Sequence, residues 1–192
     1  MNLPNQITVG RLLLTAVLFV LLDVWCRTAT SGGWIWYVAF TIYLAGMIGD
    51  ALDGYYARAL GQVTAFGRIA DPFADKILVL GILILGLTLP QVEALVPSWI
   101  VLVVLAREFL VSGLRSYLES RGTVFGASRD GKAKLIIQAI YCGALLFYPG
   151  HWMTWVWYVA QITLWATLVL SVYSAMNYII AARDTLSKGA EI

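Results

Sequence analysis

Residues 49–76 read GDALDGYYARALGQVTAFGRIADPFADK, a polar stretch that lies between two long apolar runs. Its four aspartates form two pairs: Asp50 and Asp53 are three residues apart, and Asp71 and Asp75 are four apart. On a helix, residues at these spacings share one face, one turn above the other. If the stretch joins the ends of two neighbouring helices, all four carboxylates converge between those ends.

The rest of the chain is too apolar for a water-soluble protein. Of its 192 residues, 60% are hydrophobic and 12% are charged, whereas an ordinary soluble domain is about 25% charged. Six apolar segments approach the roughly 20 residues that cross a bilayer as a helix. They span residues 7–25, 34–52, 72–89, 96–117, 133–149 and 152–181. We therefore predict an all-α, polytopic membrane protein with six transmembrane helices, forming a single domain over residues 1–192.

The positions of the basic residues indicate the orientation. Lysines and arginines lie mainly in the connections after the second and fourth segments and in the tail, and the opposite side holds only Arg27. Cytoplasmic connections carry an excess of such residues, so both connections, the amino terminus and the tail are predicted to face the cytoplasm. The net charge of +2 is too small to suggest nucleic acid as a partner.

The four aspartates favour a divalent cation. Like charges this close together near hydrocarbon are costly unless a cation neutralises them. Hard oxygen ligands suit magnesium, manganese or calcium, and no histidine or cysteine lies nearby to suggest zinc. Gly54 and Ala57 leave room for a ligand, and Arg58 can hold a phosphate. The alternative is a solvated rim, and Asp71 before Pro72 could also be a helix cap.

These residues carry a family resemblance. The pattern D-x2-D-G-x2-A-R-x8-G-x3-D-x3-D resembles the signature of the CDP-alcohol phosphotransferase family. It is filled by Asp50, Asp53, Gly54, Ala57, Arg58, Gly67, Asp71 and Asp75. The resemblance implies a six-helix membrane bundle, usually a homodimer, with a short juxtamembrane helix before the first span. It also implies transfer of a phosphatidyl or similar group from a CDP-linked donor to an alcohol, with release of CMP.

The resemblance further implies roles for individual residues. The four aspartates would hold two divalent cations, Mg²⁺ or Mn²⁺, and Asp75 would also be the base that takes the proton from the acceptor hydroxyl. The positions that match contacts to the CDP-diacylglycerol donor are Asn5, Thr8, Gly54, Arg58, Thr64 and Gly67. For Asn5, which follows Pro4, an ordinary N-terminal helix cap is an equal alternative.

A second polar cluster comprises AREFLVSGLRSYLESRG at 106–122 and GKAKLI at 131–136. Arg107 and Arg115 lie near the same helical face, and a buried arginine such as Arg107 is costly without an anion. We therefore expect Arg107, Arg115, Lys132 and Lys134 to bind an acceptor that carries its own phosphate. The alternatives are a structural ion pair for Arg107, involving Glu108 if another helix supplies a cation, and membrane anchoring for the lysines.

This cluster and the opening MNLPNQIT resemble one branch of the family, the bacterial phosphatidylglycerophosphate synthases, over residues 1 to about 140. That branch transfers the phosphatidyl group of CDP-diacylglycerol to sn-glycerol 3-phosphate, with release of CMP, at the cytoplasmic face of the inner membrane. The open alternatives are another family member such as a cardiolipin synthase, an intramembrane prenyltransferase, and a cation-coupled transporter. A transporter would place its charges toward the bilayer midplane.

Overall fold

A computed structural model describes residues 3–25, 33–59, 65–120, 129–151 and 153–189. These residues form six α-helices and no strand. The helices are α1 (Leu3–Val20), α2 (Gly33–Ala59), α3 (Ala65–Gly86), α4 (Ser98–Ser120), α5 (Arg129–His151) and α6 (Thr154–Gly189). Each predicted apolar segment therefore overlaps a different helix over most of its length, and the all-α prediction is confirmed.

The amino-terminal helix differs from the expectation. α1 runs without a break from Leu3 to Val20 and continues as a π-helical turn over Leu21–Trp25. The separate short juxtamembrane helix is therefore not found among the described residues. Pro4 does not break α1, because it lies in the first turn, where its missing N–H would have no helical partner. Asn5 lies inside this helix, and it does not precede it as the cap alternative requires.

α3 also begins earlier than the apolar run predicts, at Ala65 and not at 72. Pro72 is accommodated inside α3, where it removes one backbone hydrogen bond. Asp71 is consequently an interior residue of the helix, and the alternative that makes it the cap is wrong. The earlier start adds to α3 the turns that carry Gly67 and Asp71.

Two helices in the described part of the chain are long and apolar enough to cross a membrane, at Asn5–Val24 and Thr154–Ile180. Trp34–Asp50 and Ala133–Pro149 are shorter apolar stretches. α3 and α4 are less apolar, because the first half of α3 and the second half of α4 carry charged residues: α4, for example, contains Arg107, Glu108 and Arg115. These charges belong to the candidate site described below.

The helices pack as one bundle in which α1 contacts α2 and α3, α2 contacts α5, and α6 contacts α4 and α5. Buried tyrosines join them: Tyr43 Oη donates to the Ala139 carbonyl at 2.6 Å. α1 and α3 pack closely where Phe19 lies over Gly81, since a Cβ on Gly81 would lie 1.9 Å from the ring. Only glycine permits this packing of the ring against α3.

One end of the bundle holds most of the charged contacts. The starts of α1, α3 and α5 lie there with the ends of α2, α4 and α6, as the contacts of the next subsection establish. His151 lies at the opposite end, where its Nε2 is 3.2 Å from Tyr37 Oη.

Candidate active site

Two of the predicted metal ligands meet on an arginine of α1. Arg11 Nη1 lies 2.7 Å from Asp50 Oδ1 in α2, and Arg11 Nη2 donates to Asp75 Oδ1 in α3 at 2.6 Å. The Arg11 side chain is 4% exposed, whereas those of Asp50 and Asp75 are 37% and 34% exposed. A single buried guanidinium therefore holds together two carboxylates that remain accessible to solvent.

One face of α1 supplies these contacts. Thr8, Arg11 and Thr15 follow at helical spacing, and all three are buried. Thr8 Oγ1 donates to Asp71 Oδ1 at 2.7 Å, and Thr15 Oγ1 donates to the Arg11 carbonyl at 2.8 Å. Gly49 of α2 leaves space for the Arg11 side chain, because a Cβ at this position would lie 3.1 Å from Arg11 Cγ. α1 thus contacts three of the four predicted metal ligands.

The fourth aspartate, Asp53, lies in the last part of α2, and its side chain is outside those that the structure describes. The same holds for Gly54 and Arg58, and Thr64 lies outside the described residues altogether. Among the described side chains, no three acids, histidines or cysteines have the arrangement of a metal site. The four-aspartate metal site therefore stays a prediction.

The second polar cluster is built around a buried acid. Glu108 Oε1 accepts hydrogen bonds from Lys134 Nζ of α5 and from Arg107 Nη1, the latter at 3.0 Å. Arg107 Nη2 donates to Ser174 Oγ of α6 at 2.6 Å. The structural ion pair, which is the alternative to phosphate binding for Arg107, is therefore present. Lys134 from another helix is the cation that Glu108 required, and the neighbouring Arg107 also reaches it.

This ion-paired cluster still has one positive charge in excess, because two cations share one carboxylate. The Nε of Arg107 is also buried without a hydrogen-bond partner in the described part of the chain, and so is Nε2 of Gln138, one turn after Lys134. A buried donor without a partner is costly. The cluster therefore has both the charge and the hydrogen-bonding capacity to accept oxygens of an anionic ligand.

A hydrogen-bonded path joins the two clusters. Lys76, which directly follows Asp75, donates to Ser112 Oγ of α4. Ser112 Oγ in turn donates to the Glu108 carbonyl at 2.6 Å. Two clusters therefore lie side by side in one half of the bundle: the carboxylate cluster of Asp50, Asp71 and Asp75, and the basic cluster of Arg107, Glu108 and Lys134.

The remaining predicted acceptor residues contribute less to this cluster. Arg115 lies two turns beyond Arg107 on α4 and is exposed, and the side chain of Lys132 is outside those described. Sequence reasoning assigned no role to Arg11, Lys76, Ser112 or Ser174. Arg11 carried a usable signal, since it is the one charged residue between residues 7 and 22. A buried arginine is costly without an anion, and this holds for Arg11 as it does for Arg107.

Known proteins share this sequence over nearly its whole length. The chain matches the family model described as CDP-alcohol phosphatidyltransferase over residues 1–173. A Bacillus subtilis protein named "CDP-diacylglycerol--glycerol-3-phosphate 3-phosphatidyltransferase" is 35% identical, covering 92% of this chain and 93% of the relative. Proteins of the same name from Rickettsia typhi and Shigella flexneri are both 32% identical, covering 95% and 96% of this chain and 97% of each relative.

Proposed function

Because the chain belongs to the CDP-alcohol phosphatidyltransferase family, we propose that it catalyses the reaction for which its relatives are named. It transfers the phosphatidyl group of CDP-diacylglycerol to glycerol 3-phosphate, and it releases phosphatidylglycerophosphate and CMP. The observation that carries this choice of acceptor is the basic cluster beside the carboxylates, which suits an alcohol with a phosphate of its own.

The acceptor phosphate binds at Arg107 and Lys134. Glu108 neutralises one of these cations, which leaves one positive charge and the unpartnered Nε of Arg107 for the phosphate oxygens. Charge-assisted hydrogen bonds from arginine to phosphate are among the strong ones in proteins. Arg115 and Lys132 are further candidates on the cytoplasmic side of the same cluster.

The aspartates hold the divalent cations, which we take to be two Mg²⁺ or Mn²⁺ ions bound by Asp50, Asp53, Asp71 and Asp75. Their chemistry fits, since carboxylate oxygens are the ligands these ions prefer. Arg11 also contacts one oxygen of Asp50 and one of Asp75, so both carboxylates would be available to a cation on the same side of the bundle. When bound, divalent cations neutralise the oxygens of a diphosphate and the charge that develops on it during transfer.

The carboxylate of Asp75 acts as the base. It takes the proton from the primary hydroxyl of glycerol 3-phosphate, and the hydroxyl oxygen attacks the phosphorus that carries the diacylglycerol. One P–O bond forms as the bond from that phosphorus to CMP breaks. The residues proposed to hold the cytidine diphosphate are Asn5, Thr8, Gly54, Arg58, Thr64 and Gly67.

The donor is a lipid, and the bundle offers an apolar groove for it. A cavity of about 520 Å³ lies between α2, α5 and the start of α6, with Phe40, Met47, Ile140 and Phe147 among its lining residues. Met47 is one turn from Asp50, so an acyl chain in this groove would begin near the carboxylates. We further propose that the six helices cross the bacterial inner membrane, with the site facing the cytoplasm. Each chain forms a single domain, and two chains form a homodimer.

The direct test is transfer by the purified protein from labelled CDP-diacylglycerol, with each alcohol offered in turn. We expect CMP release and a phosphatidylglycerophosphate product with glycerol 3-phosphate, and no product with phosphatidylglycerol. Turnover with phosphatidylglycerol alone would identify a cardiolipin synthase instead.

Metal removal tests the aspartates in the same assay. Protein stripped with a chelator should lose transfer to the background level, because nothing then neutralises the diphosphate. Added Mg²⁺ or Mn²⁺ should restore it, with CMP release as the measurement. Full activity in the stripped protein would contradict the cation role.

A further inference from the structure

The Arg11 guanidinium occupies the space between two carboxylates that the proposed function assigns to metal binding. Its contacts reach one oxygen of each, Asp50 Oδ1 and Asp75 Oδ1. The guanidinium is buried, whereas both carboxylates are about one third exposed. Arg11 therefore approaches the pair from the interior of the bundle, and an ion from solvent approaches it from the other side.

The position of Arg11 is built by the helices around it. The start of α1 packs on α2 and α3, Thr15 bonds the Arg11 carbonyl, and Gly49 leaves space for the arginine stem. Arginine is charged at all ordinary pH values, so this positive charge is permanent. It offsets one of the two carboxylate charges and leaves one negative charge in excess.

We propose that Arg11 is a built-in counter-ion, which holds Asp50 and Asp75 together when no metal is bound and weakens the binding of divalent cations at the pair. The guanidinium and a divalent ion attract the same two carboxylates and repel each other at short range. The site is thus assembled before the metal arrives, and it binds the metal less tightly than the same acids would alone. This proposal depends on the proposed function only for the nature of the ligand, a divalent cation.

The test is a titration of metal-stripped, full-length protein with Mn²⁺ in detergent and without substrate. Isothermal titration calorimetry measures the Mn²⁺ affinity. Arg11→Met should bind Mn²⁺ at least about tenfold more tightly, because the repulsion is gone. In chelator, the midpoint of thermal unfolding of this variant should fall below that of the original protein. Added Mn²⁺ should raise the midpoint of the variant by more than it raises that of the original protein. A purely structural role for Arg11 would lower Mn²⁺ affinity or leave it unchanged, and either result overturns the proposal.

Two further substitutions separate charge from shape. Arg11→Gln removes the charge but keeps a hydrogen-bond donor, so it should also bind Mn²⁺ more tightly, and it serves if the Met variant does not fold. Arg11→Lys keeps the charge and should stay within about twofold of the original affinity, as expected if the charge is the cause. Arg183→Met, at an exposed position of α6, changes the net charge equally and should leave Mn²⁺ affinity unchanged.

Because binding is measured without substrates, its outcome does not depend on transfer. Failure of the Arg11 proposal would leave the transferase assay unaffected. Conversely, a protein that binds Mn²⁺ as described here but releases no CMP would contradict the proposed function alone.

Discussion

The two charged clusters are built in opposite ways. At the carboxylate cluster, two acids share one buried cation, and the acids are partly exposed. At the basic cluster, two cations share one buried acid, Glu108, and all three side chains are nearly inaccessible. The Asp50–Asp75 pair thus keeps a negative charge that Arg11 does not offset, and the basic cluster keeps a positive charge that Glu108 does not offset. In each case the sign is opposite to that of the proposed ligand.

This difference separates the tasks of the two clusters. The partly exposed carboxylates of Asp50 and Asp75 can exchange ions with solvent, and Arg11, which contacts both, limits how strongly they repel each other. The buried cations cannot be left without a partner, since an unpaired charge in a bundle interior is very costly. Glu108 therefore secures the fold at the basic cluster, whereas Arg11 adjusts the binding properties of the carboxylates.

The largest expected effect is on catalysis at the carboxylate cluster. Asp75→Asn should lower kcat about 10²- to 10⁴-fold, because the amide cannot take the proton from the acceptor hydroxyl. The protein should still fold, since an asparagine oxygen can accept the bond from Arg11. CMP release is the measurement, and Glu93→Gln, an exposed acid beyond the far end of α3, should keep normal turnover. Retained turnover in the Asp75 variant would exclude Asp75 as the base.

The next effect concerns stability at the basic cluster. Glu108→Gln should lower the free energy of unfolding by about 3–5 kcal/mol, because Arg107 and Lys134 would lose their buried anion. Asp50→Asn should cost clearly less, since Asp75 remains to neutralise Arg11 and the site is partly solvated. Unfolding of the purified protein by SDS titration compares the two variants. Equal losses would contradict the distinction between the clusters.

A smaller effect is expected on acceptor binding. Ser174→Ala should raise KM for glycerol 3-phosphate about fivefold and leave kcat nearly unchanged, because Arg107 loses the oxygen that orients Nη2. KM for CDP-diacylglycerol should not change. Thr163→Ala is the matched control on α6, since the Thr163 hydroxyl bonds to carbonyls of its own helix. An equal rise for both substrates would indicate a general packing defect.

The smallest effect is expected at the connection between the clusters. A double-mutant cycle of Lys76→Met and Ser112→Ala should give a coupling free energy of about 0.5–1 kcal/mol in unfolding, the value of one hydrogen bond. The corresponding cycle of Lys76→Met with Thr163→Ala should give none, because the Thr163 hydroxyl bonds to carbonyls of its own helix. Equal coupling free energies in both cycles would contradict a specific Lys76–Ser112 hydrogen bond between the two clusters.

Much of the fold, and the convergence of Asp50 and Asp75, could be predicted from the amino-acid sequence alone. Apolar length and helical period suffice to identify six helices, because lipid-facing backbone must satisfy its hydrogen bonds within each helix. The helix boundaries are less predictable. α3 begins at Ala65, before the apolar run, and α1 is continuous over the residues where a separate juxtamembrane helix is expected. Amphipathic and polar turns at helix ends carry little hydropathy signal.

The amino-acid sequence by itself determined the helical class, the aspartate pattern and the family, because these depend on residue types at fixed spacings along the chain. Only the tertiary structure decided which charges meet. Arg11 lies 64 residues before Asp75, and Glu108 lies 26 before Lys134. Contacts over such separations depend on how helices pack and turn about their axes, and no local pattern specifies that.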